Sequence, residues 1–174
     1  MNAKKILCLT ACTGLALLFS SCAGYHMGGI PSAQLKGVKT IYVPMVKNES
    51  YKPSLQVMAT NALIHQLEND GTFHSSRIGS ADATLEVTII NFERNSMRRA
   101  PDNSLVSEEY QGLLTAKATL INNLTGKKVF ADQTFTGKTQ YYVAQDAQEG
   151  ERQALPLAAE DLAREIITQV TNGW

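Results

Sequence analysis

The feature that most constrains this chain is a run of strict alternation. Ala83, Leu85, Val87 and Ile89 are apolar, and the intervening Thr84, Glu86 and Thr88 are polar. Successive side chains of a β-strand point to opposite faces, so the run predicts a strand with one buried and one wet face. A strand of that kind needs sheet neighbours and a layer over its apolar side. Tyr110, Gly112, Leu114, Ala116, Ala118 and Leu120 repeat the pattern, and Val129, Ala131 and Phe135 belong to a third strand. Between the last two runs, "NNLTG" at 122–126 is turn chemistry with glycine at its close, which predicts a hairpin. "VKTIYVPM" at 38–45 is a fourth, short β-rich run, with Pro44 suited to a strand end or a sheet edge. The polar stretches "VKNESYKP" and "NSMRRAPDNS" (95–104) read as loops.

Two segments carry the helical period instead. Leu55, Met58, Ala59, Ala62, Leu63 and Leu67 fall on one face, opened by Ser54 or Pro53 and closed by Gly71 in a left-handed cap. From Ala147 to about Val170, Leu155, Ala158, Leu162, Ile166 and Val170 line another face, with Glu160 and Arg164 as an i, i+4 pair outside it. Pro156 lies inside this second pattern and should kink or restart the helix. The order β-α-β-β-β-α predicts an α+β fold: a two-layer sandwich with two helices on one face of a four-stranded, mostly antiparallel sheet. The wetter sheet face would carry Thr84, Glu86, Thr88, Gln111, Thr115, Lys117 and Thr119.

The first residues belong to export. Lys4 and Lys5 precede an apolar run from Ile6 to Phe19, too short for a membrane span of about 20 residues and suited to a secretory h-region of about 7–15. Ser20-Ser21-Cys22 resembles a lipobox, in which cleavage falls before a cysteine that is then acylated, with Phe19 where leucine is usual. Cys8 and Cys12 leave with the leader, so Cys22 is the remaining thiol and an internal disulfide is excluded. Ala23, not Asp, follows it, which by resemblance to bacterial sorting signals points to the outer membrane. The expected division is 1–21 leader, 22–37 lipid-anchored tether and 38–174 one folded domain.

Several chemistries are excluded. His26, His65 and His74 have no ligand spacing and no cysteine partner, and no nucleophile–base motif or phosphate loop is present. No catalysis, metal or cofactor is expected beyond the covalent lipid on Cys22. Without Lys4 and Lys5 the charge is 14 basic against 16 acidic side chains, which argues against duplex nucleic acid. A local basic cluster remains: Arg94, Arg98 and Arg99, with Lys138 near the far end of the third strand. Adjacent arginines can hold a phosphorylated head group through paired N–H donors, and a solvated loop is the alternative.

"SCAGYHMGG", "VKTIYVPMVKNESYKPSL", "ADATLEVTIINFERN", the "TG" turn and the terminal helix ending in "NGW" together resemble the LptE lipopolysaccharide-assembly lipoproteins. The resemblance implies two helices on a four-stranded sheet and no catalysis. It also implies a place in the outer membrane as plug and assembly aid of a large LptD-type β-barrel, with lipopolysaccharide as ligand. Carried over by position, it makes Arg98, Arg99 and Lys138 the lipopolysaccharide contacts. The polar sheet face, at Thr88 and Thr115, becomes the candidate barrel contact. The alternative is a lipid-anchored periplasmic binding or scaffold protein of another envelope-assembly pathway.

Overall fold

The computed structural model describes residues 33–98, 108–143 and 147–173. Its elements run β1 (Thr40–Tyr42), β2 (Lys47–Asn48), α1 (Leu55–Asp70), β3 (His74–Ser75), β4 (Ala83–Arg98), β5 (Glu108–Asn122), β6 (Lys127–Val143) and α2 (Ala147–Asn172). They form one sheet in the order β3-β1-β4-β5-β6, with β2 also paired to β4. β4, β5 and β6 make an antiparallel meander, whereas β1 and β2 run parallel to β4 and β3 runs parallel to β1.

The α+β class, the two helices and the mostly antiparallel character of the sheet are as expected, but the sheet has more than four strands. Six strands are described, and the three pairings made by β1, β2 and β3 are all parallel, each two residue pairs long. β2 lies in the segment read as a loop. Strands of two residues show no period of their own and exist only by pairing with longer neighbours. Between Tyr42, opposite Thr84, and Lys47, opposite Thr88, the first strand segment takes one more residue than β4. Pro44 sits in that bulge, where its missing N–H breaks no ladder bond.

The second correction concerns residues 95–104. β4 continues to Arg98, so only the part from Arg99 onward lies outside the described residues, and 95–98 is strand. A bulge between Ile89 and Asn91 explains why the alternation seemed to end. It shifts the pleat by one residue, so Phe92 takes the buried side that Ile89 held before it.

One apolar core lies between sheet and helices. Ala83, Leu85, Val87, Ile89, Leu114, Ala116, Ala118 and Leu120 face Leu55, Ala59, Leu63 and Leu67 of α1 and Leu155, Ala158, Leu162, Ile166 and Val170 of α2. Ser54 holds the N-cap position of α1 with φ 67°, its carbonyl accepting from the Val57 and Met58 N–H groups; its side chain makes no cap bond. Gly71 closes α1 with φ 74°, its N–H reaching the Leu67 carbonyl. α2 is continuous through Pro156 and does not restart there. Arg152, whose carbonyl loses its i+4 donor, is exposed. The ion pair on α2 is not Glu160 with Arg164: Arg164 donates to Asp161 at 2.7 Å instead.

α2 seats on the edge strand β6 with no side chain between. A Cβ at Gly137 would overlap the Ala158 carbonyl oxygen and stand 2.5 Å from the Leu162 nitrogen. Next to it the Lys138 N–H, turned outward from the sheet edge, donates to Asp161 Oδ2 at 2.9 Å. Alanine in place of a strand glycine is ordinarily favourable by about 0.5–1 kcal/mol. Here the steric term wins, because overpacking costs about 1–3 kcal/mol when backbone has to move. Gly137→Ala should therefore lower the thermal midpoint by several degrees, measured by circular dichroism. An unchanged or higher midpoint would contradict the close seat.

Candidate functional site

The helices cover one face of the sheet and leave the other bare. Register assigns the bare face in rungs: Lys47·Thr88·Lys117·Thr134, then Asn91·Thr115·Thr136, Glu93·Leu113·Lys138 and Asn95·Gln111·Gln140. The predicted wet face is thus correct, and Thr88 and Thr115 stand near its middle, both half-buried by their neighbours. Leu113 and Ile90 add apolar area that the alternation did not show. Where the β1–β2 bulge lifts away from β4, a depression of about 370 Å³ opens beside Pro44, Met45, Thr88, Lys117 and Asp132. Lys47 and Lys117 there face Glu49, Glu86 and Asp132, so its charges oppose one another and it is no general anion trap.

Beyond the core the meander runs on. The last rung buried on all three strands is Phe92·Leu114·Gly137; beyond it Thr139 and Tyr141 of β6 are still buried, and β4, β5 and β6 continue to Arg98, Glu108 and Val143. Met97 and Tyr142 on this projecting end are 53% and 68% exposed. Gly112 makes the transition possible: a Cβ there would stand 2.9 Å from Cζ of Phe92, whose ring lies across it.

The structure divides the predicted basic cluster. Arg94 sits on the helix-facing side, its guanidinium 4.9 Å from the Tyr110 ring centre and 3.9 Å from Oε2 of Glu151 on α2. Lys52, from the loop before α1, pairs with the other oxygen of Glu151. Tyr110 stacks on Tyr141 at 5.9 Å between ring centres, and burial pushes the Tyr141 hydroxyl pKa above its ordinary value. Arg94 is therefore part of a clamp that joins β4, α2 and the loop before α1 through Glu151, on the face opposite Lys138, although its side chain is still 40% exposed. Sequence reasoning missed the clamp, because Arg94, Glu151 and Lys52 come from separate elements that meet only in the fold.

Lys138 is exposed and on the bare face, but it shares a rung with Glu93, whereas Arg98 pairs with Glu109 and Glu109 with Tyr142. Four residues of β6 separate the two levels, about 13 Å along the strand, with about 10 Å across two strand spacings. The structure does not bring Lys138 beside Arg98. Arg98 ends β4, and its side chain, Arg99 and Cys22 lie outside the described residues. Among the described residues no cluster of three or more His, Cys, Asp or Glu could hold a metal ion. His65 is exposed and meets Asn69, and His74, also exposed, meets Glu68.

Solved structures with the same arrangement are distant in sequence. Protein XCC0632 from Xanthomonas campestris is 12% identical, with a TM-score of 0.52 over 83% of this chain and 91% of that one. CT253 from Chlamydia trachomatis is 9% identical, with a TM-score of 0.50 over 76% and 95%. A minor lipoprotein from Acinetobacter baumannii is 16% identical, with a TM-score of 0.49 over 76% and 92%. At such identities the likeness is one of fold alone. Curated proteins give no match. The model of the LptE family, described as lipopolysaccharide-assembly, matches residues 38–170, from before β1 to the last turn of α2. With that match over most of its length, the chain belongs to the LptE lipopolysaccharide-assembly family.

Proposed function

We propose that the chain is an outer-membrane lipoprotein, acylated at Cys22, that seats inside an LptD-type β-barrel and contacts lipopolysaccharide on its way to the cell surface. The observation that carries this reading is the bare sheet face. The protein's own helices cover only one side, and the other is an extended polar surface of Thr, Gln, Asn and paired charges. A barrel closes its own strand edges, so a lumen can be filled only by side-chain surfaces and loops. Uncharged hydroxyls and amides lose little on moving from water to a polar wall compared with unpaired charges. Family membership supplies the process, and the lipobox supplies the anchor.

Photo-crosslinkers at Thr88 and Thr115 should capture one large outer-membrane β-barrel protein, and a crosslinker at Arg164 on the outer side of α2 should capture it less. Equal capture at all three, or capture of no barrel, would reject the plug reading.

The ligand contacts in this reading are Arg98, which ends β4, and Arg99, which follows it in sequence, with Lys138 lower on the bare face as a separate contact. Charge-assisted hydrogen bonds contribute about 1.5–3 kcal/mol each. Replacing Arg98 and Arg99 by Ala should therefore weaken lipopolysaccharide affinity on the order of a hundredfold, and Lys138→Ala should weaken it less. The thermal midpoint should hold, since Arg98 is paired one step past the Tyr110 rung and Lys138 is exposed. Unchanged affinity in the double variant would remove them as contacts.

A further inference from the structure

The end of the domain opposite Arg98 carries a different surface. Four strands and the tether meet there. Ile41 of β1 pairs with Ala83, Ala83 with Asn122, and Asn122 with Lys127. The Asn122 side chain ties the β5–β6 turn, donating to the Gln34 carbonyl at 2.8 Å and accepting from the Leu124 N–H at 3.0 Å. Lys36, Lys39, Lys127 and Lys128 are exposed around this turn, and Leu124 at its tip is 58% exposed. A Cβ on Gly37 would stand 4.0 Å from Leu124 Cδ1, so the tether side and the turn are in contact.

The acidic residues nearby are few and engaged. Asp82 accepts the Lys39 and Thr40 N–H groups at 2.9 and 3.0 Å. Glu68 accepts the Ser75 N–H at the β3 edge, and Asp70 lies on the same side. β3 is three strand spacings from β5, about 14 Å. The turn therefore presents lysines around an exposed leucine, in a chain whose total charge is zero.

We infer that this lysine-rimmed turn docks on the anionic phospholipid surface of the membrane leaflet that holds the lipid anchor. The inference extends the lipoprotein reading above. Ala33 is eleven residues from Cys22, a reach of at most about 40 Å, so the anchor keeps this end of the domain near the bilayer. Tethering raises the local concentration of headgroups at the lysines, so weak individual contacts suffice. Each basic residue at an anionic surface changes partition roughly fivefold, and Leu124 can enter the interface. Docking would set the meander upright, with Arg98 pointing away from the anchored leaflet.

The test uses the unlipidated chain from Ala23 onward, which keeps the whole core between Leu35 and Val170. Its co-sedimentation is measured with vesicles of phosphatidylcholine alone, vesicles of phosphatidylcholine with phosphatidylglycerol, and lipopolysaccharide micelles. Binding to the anionic vesicles is expected, weakening as salt rises. The charge reversals Lys127→Glu and Lys128→Glu together should reduce it at least tenfold, with circular dichroism unchanged. Equal binding to neutral vesicles, or undiminished binding by the reversed variant, overturns the inference. So does a loss confined to lipopolysaccharide, which would make the lysines a ligand site instead. Fatty-acid labelling of wild type against Cys22→Ser tests the anchor separately: equal label sinks the lipoprotein reading and leaves the vesicle result standing.

Discussion

The whole arrangement hangs on the contact between α2 and Gly137. Because that residue has no Cβ, the helix backbone lies directly on the edge strand, and Asp161 takes the N–H that the edge would otherwise offer to a stranger. The small residues Ala154, Ala158, Ala159 and Ala163 let the same helix approach along its length. Once α2 is fixed there, α1 fills the remaining width of the same face and the helix layer is complete. None of the described elements covers the other face, whose outward residues are mostly polar.

The same geometry gives the domain two unlike ends. At one, the tether, the β5–β6 turn and the C-terminal end of α2 come together with lysines outside. At the other, three strands outrun the helix-covered core and carry the Arg94–Glu151–Lys52 clamp and the Tyr110–Tyr141 stack. β4 spans about 53 Å at 3.3 Å per residue, against a hydrocarbon thickness of about 30 Å. A domain tethered at one leaflet and standing upright would carry Arg98 across to the other. That is the geometry a protein needs if it is anchored on one side and serves a ligand delivered on the other.

The sequence made part of this legible. Where a strand has one wet face and no irregularity, as from Ala83 to Ile89 and from Leu114 to Leu120, the period of two names both the element and its buried side. It fails at Ile90, because a single bulged residue swaps the faces and the strand residues 95–98 then look like the start of a polar loop. It fails again for β2 and β3, whose pairing is decided by β4 and not by their own residues. Arg94, Arg98 and Arg99 look alike in sequence. Only the pleat shows that Arg94 turns toward the helices, and only the register shows that Lys138 stands rungs away from Arg98. The pairing of Arg164 with Asp161 in place of Glu160 follows from Asp161 being held at the β6 edge, a constraint from outside the helix.

The central claim is that the bare sheet face is an interface with a barrel. It is tested most directly by purifying the lipidated protein from outer membranes in mild detergent and identifying what comes with it, for wild type, Thr115→Glu and Arg164→Glu. The account predicts one integral β-barrel protein with wild type and with Arg164→Glu, and its loss with Thr115→Glu, since a buried unpaired carboxylate is costly against a polar wall. Absence of any barrel, or its retention by Thr115→Glu and loss with Arg164→Glu, would contradict it.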